Sequence, residues 1–225
     1  ITEMMIIVNR LADVPRLWEG YTNRNPEVAE GWAQLALYKI QVIDTAADRQ
    51  YLEKAYELEP KRTEIYVTAL LEAMYKFILH MSELKENEDI AAMKALDIDV
   101  SFLKRAAAQH PKLEIAQMSL RTAQLLKLFY ESILTNVDKF SLDRSFKFEF
   151  TAEQKVVMAD LEKYMKEALA NKKIVNKFFP LKALVVLETL RSNMDMAIAY
   201  MEESKKYMPA DVDMYRLLSF GYLAP

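Results

Sequence analysis

The chain has 225 residues, 52% of them apolar and 28% charged, with no cysteine and only three glycines, and 30 Lys+Arg against 33 Asp+Glu leave a net charge of −3. Average glycine usage of about 7% would place roughly 16 glycines in a chain of this length. Gly20, Gly31 and Gly221 form no G-x-G or G-x-x-x-x-G-K pattern, which disfavours a dinucleotide-binding loop, a P-loop and a hairpin-rich sandwich or barrel and leaves an all-α fold.

Helical periodicity then runs almost end to end. Between Ala29 and Ile43 the residues Trp32, Leu35, Ala36, Ile40 and Ile43 recur at intervals of three and four, the stripe of an amphipathic helix. Ala47–Leu58 repeats the pattern with Tyr51, Leu52, Ala55 and Leu58 and stops before Pro60. The spacing predicts further pairs: Glu64–Leu84 with Val100–Gln109, Glu114–Val137 with Ala152–Ala170, and Leu181–Arg191 with Asp195–Tyr207. A last helix, Val212–Leu223, stands alone. Asp99 or Ser101, Thr151 and Asp211 are placed to cap free backbone N–H groups, and Thr151 to Gln154 has capping-box spacing.

The prolines punctuate these segments. Pro26 and Pro60 lie 34 residues apart, an interval that calls for a repeat comparison. Trp32, Tyr66 and Tyr215 each stand six residues after a proline (Pro26, Pro60 and Pro209), whereas Gln117 takes that place after Pro111. The stretch from Glu30 to Tyr38 followed by Tyr51 to Pro60 resembles one tetratricopeptide (TPR) repeat, with Trp32, Leu35, Ala36, Leu52, Ala55 and Pro60 in register. Lys39 and Asp48 depart from that pattern, standing where the family prefers an aromatic and an alanine. Leu181, Leu184, Val185, Ala197, Met201 and Ser204, before Pro209, fit a second such unit. Trp18 and Tyr21, in the second helix of a first candidate unit, are similar to the related half-TPR (HAT) repeats of RNA-processing scaffolds.

The resemblance implies a single domain over residues 1–225, an irregular α-α superhelix of about four or five stacked hairpins. Pro60 to Pro111 spans 51 residues and Pro111 to Pro209 spans 98, so insertions near 85–97 and 138–150 break the period. One amphipathic hairpin cannot hide both its apolar faces, so hairpins stack and expose a concave surface. In the TPR register the inner positions include Ala33, Leu37, Ile40, Val67, Leu71, Met118 and Thr122. The lysines and asparagines by which chaperone-binding TPRs clamp a C-terminal carboxylate are missing there. The expected groove is therefore apolar, formed by Ala33, Leu37, Val67 and Leu71 with Glu30, Gln41, Glu64, Tyr75, Lys182 and Arg216 as polar members, and suits a helix or extended segment. The same apolar positions could instead be covered by neighbouring hairpins or by the insertions.

Catalytic and metal chemistry find little support. His80 and His110 stand 30 residues apart, outside any H-E-x-x-H pattern, and no serine occupies a G-x-S-x-G elbow. Asp138 to Asp143 lacks the glycine and ligand spacing of a calcium loop. No cofactor and no metal ligand are expected. Thirteen methionines suit adaptable surfaces, yet the apolar stripes assign Met74, Met118, Met165 and Met201 to the core. Phe146, Phe148 and Phe150 alternate with charged residues at period two, as in a strand or extended loop; they form either an exposed aromatic patch or a flap buried over the hairpins.

The reading is a non-enzymatic scaffold for a protein or peptide, with a regulatory or accessory domain of a larger enzyme or transport complex as the alternative. Interspersed charges give no basic stripe, so a nucleic-acid partner is not expected, and no apolar run reaches the ~18 residues of a membrane span. A start at Ile1 rather than Met fits a trimmed or processed product. The compartment stays open, with cytoplasm the default and periplasm or secretion reached through a removed signal peptide; oligomeric state leaves no signature.

Overall fold

The computed structural model describes residues 13–41, 45–86, 97–136, 147–172 and 177–207. Among them the fold is all-α, without a strand. The helices are α1 (Val14–Arg24), α2 (Ala29–Gln41), α3 (Thr45–Leu58), α4 (Thr63–Glu86), α5 (Ser101–Gln109), α6 (Glu114–Asn136), α7 (Ala152–Ala170), α8 (Phe178–Leu190) and α9 (Met194–Ser204). The expected helix Val212–Leu223, with Asp211, Tyr215 and Arg216, lies outside the described residues, as do Pro209, Phe146 and most of both insertions.

The chain divides into two compact units, one comprising Ile1–Glu83 with Ile98–Ala123, the other Leu84–Asp97 with Gln124–Pro225. In the first, α2 and α3 pack as a hairpin and α1 lies against α2. Leu35, Ala36 and Ile40 of α2 meet Leu52 and Ala55 of α3 in the buried set, the residues whose three-and-four spacing predicts the pair. Gly31 allows the α1–α2 approach: a Cβ there would lie 2.6 Å from Thr22 Oγ1 and 3.1 Å from the Tyr21 ring, closer than a side chain tolerates.

In the second unit α8 packs on both α7 and α9. Leu125, Leu128, Met158, Leu161, Met165, Leu184 and Leu187 form its core. The capping box forms as expected: Thr151 Oγ1 accepts from the Gln154 N–H at 3.2 Å, and Gln154 Oε1 accepts from the Thr151 N–H at 2.9 Å. Asp99 also caps, one residue ahead of the helix start, with Oδ1 accepting from the Ser101 N–H at 2.8 Å.

Two boundaries differ from the periodicity. Helix α8 starts at Phe178 and carries Pro180 in its first turn, where backbone N–H groups have no intrahelical acceptor and proline removes nothing. Helix α9 ends at Ser204, and the chain tightens into a turn through the bonds Lys206 N–H to Glu203 O and Tyr207 N–H to Ser204 O. Met165 and Met201 are core residues, but Met118 is half-buried and Met74 is exposed.

Candidate functional site

Helix α4 carries two apolar stripes. Ile65, Tyr66, Ala69, Glu72 and Ala73 are buried on one side. Val67, Leu71, Met74 and Ile78, nearly opposite at 100° per residue, remain between 37% and 58% exposed. The core has already taken its face of α4, so these four side chains are left to solvent. That is why Met74 departs from the core assignment.

Three sets of contacts fix α4 in place. Tyr66 Oη donates to the Pro60 carbonyl at 2.6 Å. Arg62, at the corner before α4, pairs with Glu59 and Glu64 at 3.0 Å each and with Glu30 of α2 at 3.9 Å. Buried Glu72 accepts from Arg49 of α3 at 3.1 and 3.0 Å and from Lys76 at 2.6 Å. Arg49 also reaches Asp99 at 3.4 Å and lies over the Phe102 ring. Burial would raise the Asp99 carboxyl, but the Ser101 hydrogen bonds and the charges of Arg49 and Lys76 more than offset it and hold it below its ordinary value. Arg105 pairs with Glu53 and covers Phe102 as well, and Tyr56 Oη donates to Gln109 Oε1 at 2.6 Å. These bonds tie α3, α4 and α5 into one support.

Of the expected groove residues, Val67 and Leu71 are exposed on one face of α4, Glu64 stands one turn before Val67, and Leu37 and Tyr75 are half-buried. Ala33 and Ile40 are buried, each 2% exposed, because the interior of the α2–α3 hairpin takes them; they do not line a surface. The side chains of Gln41 and His80 lie outside the described residues. Lys182 lies in the second unit on α8, its Nζ over the Phe178 ring at 5.3 Å. Ile78 and Met74 join the stripe without having been assigned to it. Their signal is the alternating four-three-four spacing of 67, 71, 74 and 78, masked by a helix that is apolar nearly all round. An open cavity of about 320 Å³ is lined by Leu17, Trp18, Tyr21, Arg24 and Glu30.

Phe148 and Phe150 lie half-buried against the core of the second unit, their rings stacked with centroids 6.1 Å apart. The segment 147–150 has no strand structure. Asn136, at the end of α6, holds it instead: Nδ2 donates to Glu149 O at 3.1 Å and Oδ1 accepts from the Glu149 N–H at 2.9 Å. These two rings belong to a flap packed on the core and not to a free patch.

His110 packs edge-on against Tyr56, with ring centroids 6.0 Å apart. Among the described residues no group of three His, Asp or Glu side chains is placed to hold a metal ion, and no helix is long and apolar enough to cross a membrane. No family model, curated protein or solved structure matches the chain.

Proposed function

We propose that this protein is a non-enzymatic interaction scaffold, a TPR-like series of helical hairpins that presents α4 to the apolar face of a protein or peptide. The observation that carries the reading is the exposed stripe Val67, Leu71, Met74 and Ile78 on a helix whose other face is anchored in the core. Contiguous exposed apolar surface is a liability unless it is used, and the ion-pair support behind α4 keeps the stripe straight for a partner. Residues three and four apart are the anchors by which a helix docks in a groove. The corner bonds at Pro26 and Pro60, repeated at one spacing, support the repeat relation between successive hairpins.

Covering four side chains that are already about half-buried yields about 4 kcal/mol at most. That is a weak contact once the cost of association is counted, so the partner must gain further from the stripe's surroundings.

The test is selection of a displayed helical-peptide library on the intact chain and on the double variant Leu71→Glu, Ile78→Glu. Amphipathic sequences should enrich on the parent and fail to enrich on the variant, with the circular dichroism of the two proteins unchanged. Equal enrichment on both, or none on the parent, overturns the reading.

A further inference from the structure

The charges around the stripe are sorted by depth. At its N-terminal end three carboxylates, Glu59, Glu64 and Glu30, meet the single guanidinium of Arg62, leaving two net negative charges. Their side chains are 53%, 47% and 46% exposed, whereas Arg62 is 22% exposed. Further along α4, Arg49 and Lys76 are turned inward onto buried Glu72, and the outward member of that group is the Asp99 carboxylate. The positive end of the α4 dipole offsets only about half a charge. Cations are thus engaged inside while carboxylates face solvent, and Glu64 stands three residues before Val67 on the same side of the helix.

Resting on the scaffold reading above, we infer that the occupant of the stripe is an amphipathic helix whose apolar seam is flanked by Lys or Arg. The four-three-four spacing matches the seam that a second helix presents. Basic flanks meet the exposed carboxylates and supply the attraction that the apolar contact alone lacks, whereas acidic flanks would be repelled by them.

The experiment uses the intact chain and two synthetic 18-residue helices with leucine at the seam positions, one flanked by lysine and the other by glutamate. Binding is read by fluorescence anisotropy at 50 and 300 mM NaCl. The lysine-flanked helix should bind about tenfold tighter at low salt, with most of that preference lost at high salt. Glu59→Gln with Glu64→Gln should shrink the preference, and Leu71→Glu with Ile78→Glu should abolish binding of either helix. Equal binding of the two helices, still lost in the Leu71→Glu, Ile78→Glu protein, overturns the basic partner and leaves the scaffold reading standing. Binding insensitive to the stripe variants, or no binding, overturns both. Self-association in sedimentation that disappears in the stripe variant identifies a second copy as the occupant and overturns the inference.

Discussion

Tyr66 Oη donates a 2.6 Å hydrogen bond to the carbonyl of Pro60, six residues earlier, and Trp32 Nε1 donates a 2.8 Å bond to the carbonyl of Pro26 at the same separation. The aromatic two residues or more inside a new helix thus reaches back to close the corner that the proline opens. Gln117 lacks an aromatic ring but fastens its own corner by donating from Nε2 to Ala107 O at 2.8 Å.

Because Tyr66 is fully buried, Tyr66→Phe should cost about 1–2 kcal/mol in urea unfolding, the worth of the bond plus a carbonyl left unpaired. Trp32→Phe should cost less, since its bond lies where water can replace it. Burial raises the Tyr66 hydroxyl from its ordinary 10 to about 12. The unfolded chain therefore loses this proton first. The contribution is whole below pH 10 and is lost as pH rises toward 12, with a slope of up to about 1.4 kcal/mol per pH unit. The stability gap between parent and Tyr66→Phe should narrow across that window; a constant gap refutes the account.

Asn136 acts as a side-chain substitute for a strand pair, since its amide takes both backbone groups of Glu149. Asn136→Ala leaves these groups unpaired and should destabilise the second unit by about 2–3 kcal/mol. Asn136→Asp should be no better, because a carboxylate accepts from the Glu149 N–H but donates nothing to the Glu149 or Ser132 carbonyls. Thermal unfolding and hydrogen exchange at the Glu149 amide measure the effect. Deleting residues 141–150 removes Phe148 and Phe150 from the core and should unfold the unit. A deletion variant that stays folded would show that the flap is dispensable.

Much of this architecture is legible in residue spacing, and the exceptions have causes. Three-and-four periodicity places α2, α3, α5 and α7 to within a few residues, because each has one apolar face and one destination. Periodicity fails on α4, where Ile65 to Ile78 is apolar on two sides and spacing cannot say which side the core takes. Met74 and Ile78 were therefore invisible as surface. Asn136 was equally silent: its partner lies 13 residues on and is a backbone group, which leaves no pattern of residue types. Arg49, Glu72 and Lys76 read as scattered charges, and only the packing of α3 against α4 shows that they form one cluster.

That cluster predicts an asymmetry between partial and complete replacement. Glu72 is 3% exposed and is the only acceptor shown for Lys76, which lies 2.6 Å away, and it is shared with Arg49. Glu72→Leu strands two cations that are themselves mostly enclosed and should cost on the order of 2–4 kcal/mol. The triple variant Arg49→Met, Glu72→Leu, Lys76→Met leaves no buried charge unpaired and should recover most of that loss. Chemical denaturation of the two proteins decides between them. A triple variant as unstable as Glu72→Leu alone would mean that the charges act through specific geometry and not through mutual neutralisation.

Ser192 bears on how a chain with so few glycines ends a helix. After α8 its N–H bonds Thr189 O at 2.9 Å and the Asn193 N–H bonds Glu188 O at 2.9 Å, the paired bonds of a Schellman cap. The residue between them adopts φ 59°, the only positive value of a non-glycine among the described residues. A left-handed conformation costs an L-residue roughly 1 kcal/mol that glycine does not incur. The Ser192→Gly and Ser192→Ala pair isolates the backbone effect, since both variants remove the hydroxyl. Glycine should be the more stable by about 1 kcal/mol in thermal unfolding. If alanine equals or exceeds glycine, the cap has relaxed to another conformation, and the bonds to Thr189 and Glu188 are not what hold the α8–α9 corner.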